Sequence, residues 1–588
     1  MQRAIIQWKP ATEPSALWLD FDRPARLIEA WTGADVLPAL QALENTVRNG
    51  QAIAGYITYE AASGMDAALA THPRGPLPLL QFGVFPSFRV EKAFPVSAAP
   101  YHIGAWNPTY PRAAYTAAIQ RIKEWIEQGH TYQVNHTFQL QARFSGAAAG
   151  WFNRLLQTQQ AAYGAYVDAG DDVFCSVSPE LFFALDRDSL TCRPMKGTAR
   201  RGVTWHEDQA AKQVLAASTK NRAENLMIVD MMRNDLGRIA RTGSVAVQQL
   251  FEIERYPTLL QMTSSITAQT DAGLAEIVQA LFPCASITGA PKVRTMQLIR
   301  ELEPVPRGIY TGAMGFVLPH HPLTQRSGRF GQFNVAIRTA HIRRRDQTVT
   351  YGTGGGIVWD SDAEHEYREC QTKALILTHT QPDFQLLETM RWTPARGIWF
   401  WPQHRQRLQQ SSDYFGYRFC ADTIARDLAD ATANLGRERH RVRLLLSASG
   451  EVAITATPVP TERSIWRVAL SEHPVSSDDV FLYHKTTHRS VYDQALARHP
   501  GMDDVLLYNE AGQLTESCRA NVVLRLDGCW YTPPARSGLL NGILRQHWLR
   551  KGWIQERTLT PDALQKADRI LLLNALRGPI QAKLKPKM

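Results

Sequence analysis

The chain has 588 residues, of which 44% are hydrophobic and 20% are charged, which predicts two to four globular folding units. No apolar run is long enough to cross a bilayer, and the N-terminal residues lack the pattern of a secretory leader, so we expect a cytoplasmic protein without a membrane partner. The net charge of +10 comes from dispersed basic residues, and the seven cysteines show no CxxC spacing, so neither nucleic-acid binding nor a zinc site is expected.

Both halves of the chain are predicted to mix strands with amphipathic helices. We expect the first 100 residues to complete the sheet of a first domain. Further on, strands are predicted at 173–177, 181–185, 333–342, 441–447, 505–508 and 522–526, and helices at 114–127, 293–302 and 543–549. The order of these elements favours an α+β fold over regularly alternating βαβ units.

A domain boundary is predicted near residues 376–386, where a helix ends and the stretch ILTHTQPDF leads to a new strand. This places a first domain at 1–377 and a second at 384–588. Such breaks locate a boundary only to within several residues.

Blocks of acidic residues and glycines concentrate the unusual chemistry of the first half. Glycines at 352, 354, 355 and 356 predict a loop whose backbone N–H groups converge on a carboxylate or phosphate. Glu366, Glu369 and Lys373 share one helix face, although Glu369 and Lys373 taken alone are an ordinary i,i+4 pair. Carboxylates beside an anion-binding loop would attract a hard cation such as Mg²⁺.

Two further motifs are SITGAPK (286–292) and RGIYTGA (307–313). Because of these motifs and the blocks above, residues 100–375 resemble the chorismate-utilising enzymes. The resemblance implies an antiparallel β-sandwich with helices and an active site between two sheets. It implies that Glu224 and Glu369 bind Mg²⁺ with Glu366 beside them, and that Glu180 is the acid that protonates the departing C4 hydroxyl of chorismate. The implied substrate-binding residues are Thr198, Tyr310, Arg338, Gly354, Gly355, Gly356 and Lys373.

Lys196 indicates which branch of that family the chain resembles. Most relatives have a small residue before the Gly-Thr of this motif, whereas a lysine, here in PMKGT (194–198), resembles the aminodeoxychorismate synthases. In that branch the lysine attacks ring C2 and expels the C4 hydroxyl before ammonia adds at C4, which requires a deprotonated amine. Gln133 stands where water-adding relatives have a base lysine, and Gln261 stands in a QMTS segment where many relatives have a histidine.

The first half contains no nucleophile motif of a glutamine amidotransferase. Ammonia is therefore expected from a separate glutamine amidotransferase subunit or from solution.

The second half carries a different group of motifs. Lys485 is followed 31 residues later by Glu516, and Gly542 precedes a predicted helix whose N-terminus would suit a phosphate. Residues 383–580 resemble the fold-type IV pyridoxal-phosphate enzymes, a family that includes aminotransferases and 4-amino-4-deoxychorismate lyase. That resemblance is compatible with a homodimer formed through this domain.

The resemblance implies a role for each of these residues. Lys485 would bind pyridoxal 5'-phosphate covalently and then transfer protons, and Glu516 would hold the ring nitrogen protonated. Thr389 is a candidate proton donor on the substrate side. The implied phosphate-binding groups are Arg407, the backbone N–H groups of Ile543 and Leu544, Asn574 and Ala575. Leu544 and Ala575 stand where aminotransferases tend to have hydroxyl donors, which favours the lyase.

Together the two resemblances predict a bifunctional enzyme of 4-aminobenzoate (folate precursor) biosynthesis. It would aminate chorismate at C4 and then eliminate pyruvate from 4-amino-4-deoxychorismate. The alternative within enzymes is an anthranilate-synthase-like domain joined to a branched-chain or D-amino-acid aminotransferase. A regulatory protein with inactive domains is a further alternative, which the joint presence of Glu180, Lys196 and Lys485 disfavours.

Overall fold

The computed structural model describes residues 1–10, 16–96, 99–159, 162–378, 382–459 and 464–585. The chain divides into two compact units, Met1–Arg200 with Lys212–Gln381 and Arg201–Ala211 with Pro382–Met588. Residues 201–211, which the predicted boundary places in the first domain, thus belong to the second unit. Of the predicted boundary region, residues 379–381 lie outside the described residues.

The first unit is built from antiparallel strands and helices. Its strands are β1 (Arg3–Trp8), β2 (Leu17–Asp22), β3 (Arg26–Ala30), β4 (Ala52–Ile57), β5 (Leu80–Phe85), β6 (Arg89–Glu91), β7 (Tyr101–Ile103), β8 (Asn107–Pro108), β9 (Gln133–Gly146), β10 (Tyr163–Asp168), β11 (Asp172–Ser178), β12 (Leu181–Asp186), β13 (Ser189–Arg193), β14 (Met195–Arg200), β15 (Ala246–Arg255), β16 (Leu259–Gln269), β17 (Gly289–Ala290), β18 (Ala313–His320), β19 (Ser327–Val335), β20 (Thr339–Arg343) and β21 (Thr348–Ile357). Its helices are α1 (Gly33–Arg48), α2 (Ala62–Met65), α3 (Arg112–Glu127), α4 (Ala148–Gln159), α5 (Trp205–Ala217, which begins in the second unit), α6 (Thr219–Gly237), α7 (Leu274–Leu281), α8 (Lys292–Leu302) and α9 (Ala363–Ala374).

The strands form two sheets that share a core. One sheet has the order β17-β9-β21-β20-β11-β10-β1-β2-β6, and the other has the order β14-β16-β13-β12-β19-β18-β4-β5-β3. Ile6 and Phe174 of the first sheet lie in one buried cluster with Tyr56 and Phe316 of the second. Each buried aromatic or large aliphatic side chain of this kind stabilises the fold by about 1.5–3 kcal/mol. The predicted α+β sandwich is confirmed.

Most of the elements predicted for this half are also confirmed, including the helices at 114–127 and 293–302 and the placement of the first 100 residues in the sheets. The single strand predicted at 333–342 is wrong. β19 ends at Val335 in one sheet and β20 begins at Thr339 in the other, so the chain must turn between them. Arg338 in this turn has a φ of 49°, a left-handed conformation that a continuous strand excludes.

The second unit is also α+β. Its strands are β22 (Leu386–Thr393), β23 (Gly397–Ile398), β24 (His440–Leu446), β25 (Val452–Pro458), β26 (Ile465–Leu470), β27 (Asp504–Tyr508), β28 (Leu514–Ser517), β29 (Asn521–Leu526), β30 (Cys529–Thr532), β31 (Gln555–Glu556), β32 (Arg569–Asn574) and β33 (Gly578–Leu584). Its helices are α10 (Trp401–Phe415), α11 (Ala421–Thr432), α12 (Ser490–Arg498), α13 (Ile543–Arg550) and α14 (Pro561–Lys566). The strands form two sheets, with the orders β23-β22-β24-β25 and β28-β27-β26-β33-β32-β29-β30-β31.

None of the described helices of the chain is long and apolar enough to cross a membrane.

Candidate active sites

A cavity of about 350 Å³ lies in the first unit. It is bordered by the turn between β11 and β12, by β14 and β21, and by helices α6 and α9. Every site residue predicted for the first domain lines this cavity: Glu180, Lys196, Thr198, Glu224, Tyr310, Arg338, Gly354, Gly355, Gly356, Glu366, Glu369 and Lys373.

The glycine run was expected to form a loop, and that expectation is wrong. Residues 352–356 lie within strand β21, where they pair with β9 along one edge. Pairing with β20 stops at Tyr351, which leaves the other edge of the run against the cavity. A Cβ on Gly352 would collide with the ring of Tyr310. The glycines therefore provide a floor of bare backbone, against which Tyr310 packs.

Lys196 is half-buried on β14, at the side of the cavity. A Cβ on Gly356 would collide with its Nζ and with Nε2 of Gln133, so glycine at 356 makes room for both groups. Burial lowers the pKa of Lys196, and the positive charge of Lys373 adds to this effect against the opposing carboxylate of Glu224. A lowered pKa increases the fraction of the amine that is unprotonated and nucleophilic.

Glu180 is almost completely buried between β11 and β12, at 2% exposure. The hydroxyl of Ser286 donates a hydrogen bond to its Oε1 at 2.6 Å. Burial raises the pKa of Glu180 to about 7, although Ser286 and the nearby charge of Lys196 act in the opposite direction. This carboxyl can therefore hold a proton near neutral pH, as a general acid must.

The three glutamates expected to bind metal line the same cavity but are not a preformed cluster. Among the described residues, no three His, Cys, Asp or Glu side chains are grouped so that they could hold a metal ion. Glu366 accepts a hydrogen bond from Ser361 at 2.7 Å, and Glu369 forms an ion pair with Lys373 at 2.8 Å. Mg²⁺ commonly keeps several waters and uses one or two carboxylates together with substrate oxygens. The donor set fits that mode of binding.

Arg338 offers a cation to an anionic substrate. It is 8% exposed, and its Nη1 has no hydrogen-bond partner among the described residues. A buried donor without a partner is costly, and a substrate carboxylate would satisfy it with a charge-assisted hydrogen bond.

Several residues that line this cavity are not among the site residues predicted from the sequence. They include Lys220, Asn221, Gln261, Ser286 and His365. Lys220 and Asn221 precede Glu224 by about one helical turn, so their spacing could have placed them on its face of α6. Nothing in the spacing of Gln261 or Ser286 indicates which backbone or side-chain group each one contacts.

A second cavity of about 480 Å³ lies in the second unit. Thr389 and most of the predicted cofactor residues line it: Arg407, Lys485, Glu516, Ile543, Asn574 and Ala575. Leu544 does not line it, because its side chain packs against Val523, Ile554 and Leu573. The role expected of Leu544 belongs to its backbone N–H, which lies at the start of α13.

Burial in this cavity shifts the pKa values of both Lys485 and Glu516. Burial lowers the pKa of Lys485 to about 8, with the guanidinium groups of Arg407 and Arg489 acting in the same direction. Burial also raises the pKa of Glu516 to about 7. Glu516 accepts hydrogen bonds from the Tyr492 hydroxyl at 2.8 Å and from Asn521 Nδ2 at 3.2 Å. A protonated ring nitrogen beside Glu516 would favour its carboxylate form.

Arg407 is fixed by a buried acid that the sequence analysis did not single out. Its guanidinium donates two hydrogen bonds to Glu388, at 2.9 and 2.7 Å, and His404 lies 2.6 Å from the same carboxylate. Burial alone would raise the pKa of Glu388, but Arg407 and His404 hold it at about 2. The ion pair orients Arg407 at the cavity wall.

The cavity also has the features that a pyridoxal-phosphate site requires. Gly542 immediately precedes helix α13, where backbone N–H groups are free to bind a phosphate. A Cβ on Gly542 would collide with Oδ1 of Asn521, so only glycine fits there. A lysine of lowered pKa, a buried carboxyl and a helix N-terminus thus line one cavity, and these residues fit the cofactor.

Comparison with known proteins gave two family matches. The model of the chorismate binding enzyme family matches residues 7–379, and the model of the class IV aminotransferases matches residues 385–584.

Individual relatives were also found. Aminodeoxychorismate synthase component 1 of Salmonella typhimurium is 37% identical over 47% of this chain and 59% of its own length. The Bacillus subtilis protein of the same name is 35% identical over 47% of this chain and 57% of its own length. The chain thus spans less than two thirds of these relatives. The crystal structure of anthranilate synthase component I from Streptococcus pneumoniae matches with a TM-score of 0.54 at 22% identity, covering 63% of this chain and 94% of that one, which shows a common fold.

Proposed function

Because the chain belongs to the chorismate binding enzyme family, we propose that its first unit aminates chorismate at C4 to give 4-amino-4-deoxychorismate. We propose that its second unit then eliminates pyruvate from that compound to give 4-aminobenzoate. One observation carries the proposal: Lys196 lines the same cavity as Glu180, a buried carboxyl whose pKa is raised to about 7. A nucleophile and an acid are the two groups that displacement of a hydroxyl requires.

The first unit would act through a covalent adduct. The amine of Lys196 forms a bond to ring C2 while the ring double bonds shift and the C4–O bond breaks. Glu180 gives its proton to the departing hydroxyl, which leaves as water. Ammonia then forms a bond at C4, the double bonds shift back, and the C2–N bond breaks to release Lys196.

Binding and orientation would fall to the other residues of this cavity. Arg338 would hold a substrate carboxylate, and Tyr310 with the backbone of residues 354–356 would form the walls around the ring. Mg²⁺, held by Glu224 and Glu369 with Glu366 beside them, would neutralise the ring carboxylate. Lys373 donates to the carbonyl of Gly354 at 2.8 Å and so anchors α9 to this floor.

In the second unit, pyridoxal phosphate would supply an electron sink when bound. Lys485 would hold the cofactor and then move a proton to and from the substrate. Glu516 would face the ring nitrogen, while Arg407 and the N-terminus of α13 would hold the phosphate. Thr389, on the cavity wall, would donate a proton on the substrate side.

We also propose a separate glutamine amidotransferase subunit as the ammonia source, a cytoplasmic location and a homodimer formed through the second unit. The name "component 1" of the relatives supports a second component.

The proposal is tested by incubating the protein with chorismate, Mg²⁺, pyridoxal phosphate and ammonium and separating the products by chromatography. We expect 4-aminobenzoate and pyruvate in equal amounts. Formation of 2-aminobenzoate in place of 4-aminobenzoate would refute the amination at C4 and support an anthranilate-synthase-like first unit.

Substitution of Glu180 by glutamine should lower the amination rate by about 10²–10⁴-fold, since glutamine cannot donate the acid proton. The initial rate of 4-aminobenzoate formation from chorismate and ammonium measures this loss.

The same carboxyl should make the free energy of unfolding depend on pH. The pKa of Glu180 rises from an ordinary 4.5 to about 7 on folding, so its protonated form is favoured in the folded state. Its contribution to stability is complete below pH 4.5 and is lost as the pH rises through about 7.

The wild type should therefore lose stability relative to Glu180→Gln between these pH values. Urea unfolding of both proteins at a series of pH values measures the difference. A constant difference from pH 4.5 to pH 8 would contradict the raised pKa.

A further inference from the structure

The segment that carries Lys196 departs from regular strand geometry. β14 pairs with β16 at Met195↔Thr263 and again from Thr198↔Gln261, with a shift of register between them. Lys196 and Gly197 fall within this irregularity, and Gly197 has a φ of 100°, which favours glycine. Bulges of this kind turn a side chain in a new direction and leave local backbone groups without ladder partners.

Two side-chain amides occupy the places of those missing partners. Gln261 Nε2 donates to the carbonyl of Gly197 at 3.0 Å, and its Oε1 accepts from the Thr198 hydroxyl at 3.1 Å. Asn225 Nδ2 donates to the carbonyl of Lys196 at 3.3 Å and is itself held by Ser264, whose hydroxyl donates to Asn225 Oδ1 at 2.6 Å. The carbonyls of the Lys196–Gly197 and Gly197–Thr198 peptides are thereby both held.

Gln261 is well placed to control this geometry. It is 7% exposed, and both ends of its amide are used within the bulge. Any group at 261 that cannot both donate to Gly197 and accept from Thr198 would leave the half-buried Gly197 carbonyl or Thr198 hydroxyl without this partner. The backbone would then shift to recover these bonds, and the Lys196 amine would move with it.

We propose that Gln261 is a positioning residue for Lys196: its side-chain amide holds the β14 bulge in the conformation that directs the lysine amine into the cavity. This inference rests on the proposed role of Lys196 as nucleophile. It assigns Gln261 an effect on the rate of the covalent step that is larger than its effect on chorismate binding, to which the amide is linked through the Thr198 hydroxyl.

The test uses Gln261→Met in the full chain, because methionine keeps the side-chain volume and removes both hydrogen bonds. We expect kcat for amination to fall at least tenfold while KM for chorismate changes less than threefold. Gln261→Asn, which keeps an amide but is too short to bridge the same groups, should also lose at least tenfold. The matched control is Gln269→Met at the far end of β16, where Gln269 bonds Arg241 and Ser244 through its backbone. It should keep full activity.

A double-mutant cycle separates positioning from a merely structural role. In a Lys196→Ala background, Gln261→Met should leave both the residual rate and the dissociation constant of chorismate, measured by calorimetry, within threefold of the Lys196→Ala values. An unchanged kcat in Gln261→Met, a loss confined to KM, or a further tenfold loss in the Lys196→Ala background would overturn the inference. If Lys196→Ala itself is fully active, the proposed function fails instead, and the two failures are distinguishable.

Discussion

Lys196→Ala should lower the amination of chorismate by on the order of a thousandfold or more, the scale seen when an enzyme loses its nucleophile. Without the amine, the proposed bond to ring C2 that expels the C4 hydroxyl cannot form. Glu180 and Gln133 are buried, and Glu180 keeps its hydrogen bond from Ser286 in the variant. The measurement is the initial rate of 4-aminobenzoate formation from chorismate and ammonium.

Two controls belong with this variant. Lys212→Ala changes an exposed lysine of the same unit and should keep full activity. The Lys196→Ala protein should still release 4-aminobenzoate from added 4-amino-4-deoxychorismate, since the second cavity is untouched. Retention of more than a tenth of the wild-type amination rate would exclude a covalent role for Lys196.

Lys485→Ala should abolish pyruvate elimination while leaving amination intact. Removing this amine takes away both the attachment point of the cofactor and the group that moves the proton, so a loss of on the order of a thousandfold is expected. The variant should lack the visible absorption of the bound cofactor. It should also accumulate 4-amino-4-deoxychorismate from chorismate and ammonium, which chromatography detects directly.

Lys551→Ala, at an exposed position of the second unit, is the matched control and should match the wild type in colour and activity. Continued formation of 4-aminobenzoate by Lys485→Ala at near wild-type rate would mean that elimination does not depend on this lysine. Failure of both reactions in Lys485→Ala would instead indicate that the substitution disturbs the fold.

Sequence alone could locate the site residues that lie close together within one local motif. Lys196 lies two residues before Thr198, and Glu366, Glu369 and Lys373 share one helix face. This short-range spacing was enough to assign all of them to one predicted site. The structure places all of them at one cavity. The substitutions Lys196→Ala and Glu180→Gln test which of these groups carry the chemistry.

Contacts between distant segments could not be obtained in this way. Glu388 and Arg407 form an ion pair between β22 and α10, and Gln261 contacts a bulge more than sixty residues earlier in the chain. No periodicity within a single segment encodes such pairs. The second cavity also has Arg441 and Arg443 of β24 in its wall, and the strand predicted at 441–447 gave neither of them a role.

Two local patterns were misjudged because tertiary structure overrode them. The glycine run at 352–356 has the composition of a loop, yet pairing with β9 keeps it in a strand. The apolar stretch at 333–342 has the composition of one strand, yet it crosses from one sheet to the other at residues 336–338. In both cases the partner strands decided the conformation.

The most direct test of the role of Lys196 is mass spectrometry of the protein incubated with chorismate and Mg²⁺ in the absence of any ammonia source. The account predicts a covalent adduct whose added mass equals chorismate minus water, located by peptide mapping on Lys196. An unmodified Lys196 under conditions in which added ammonium supports full amination, or an adduct located on another residue, would contradict it.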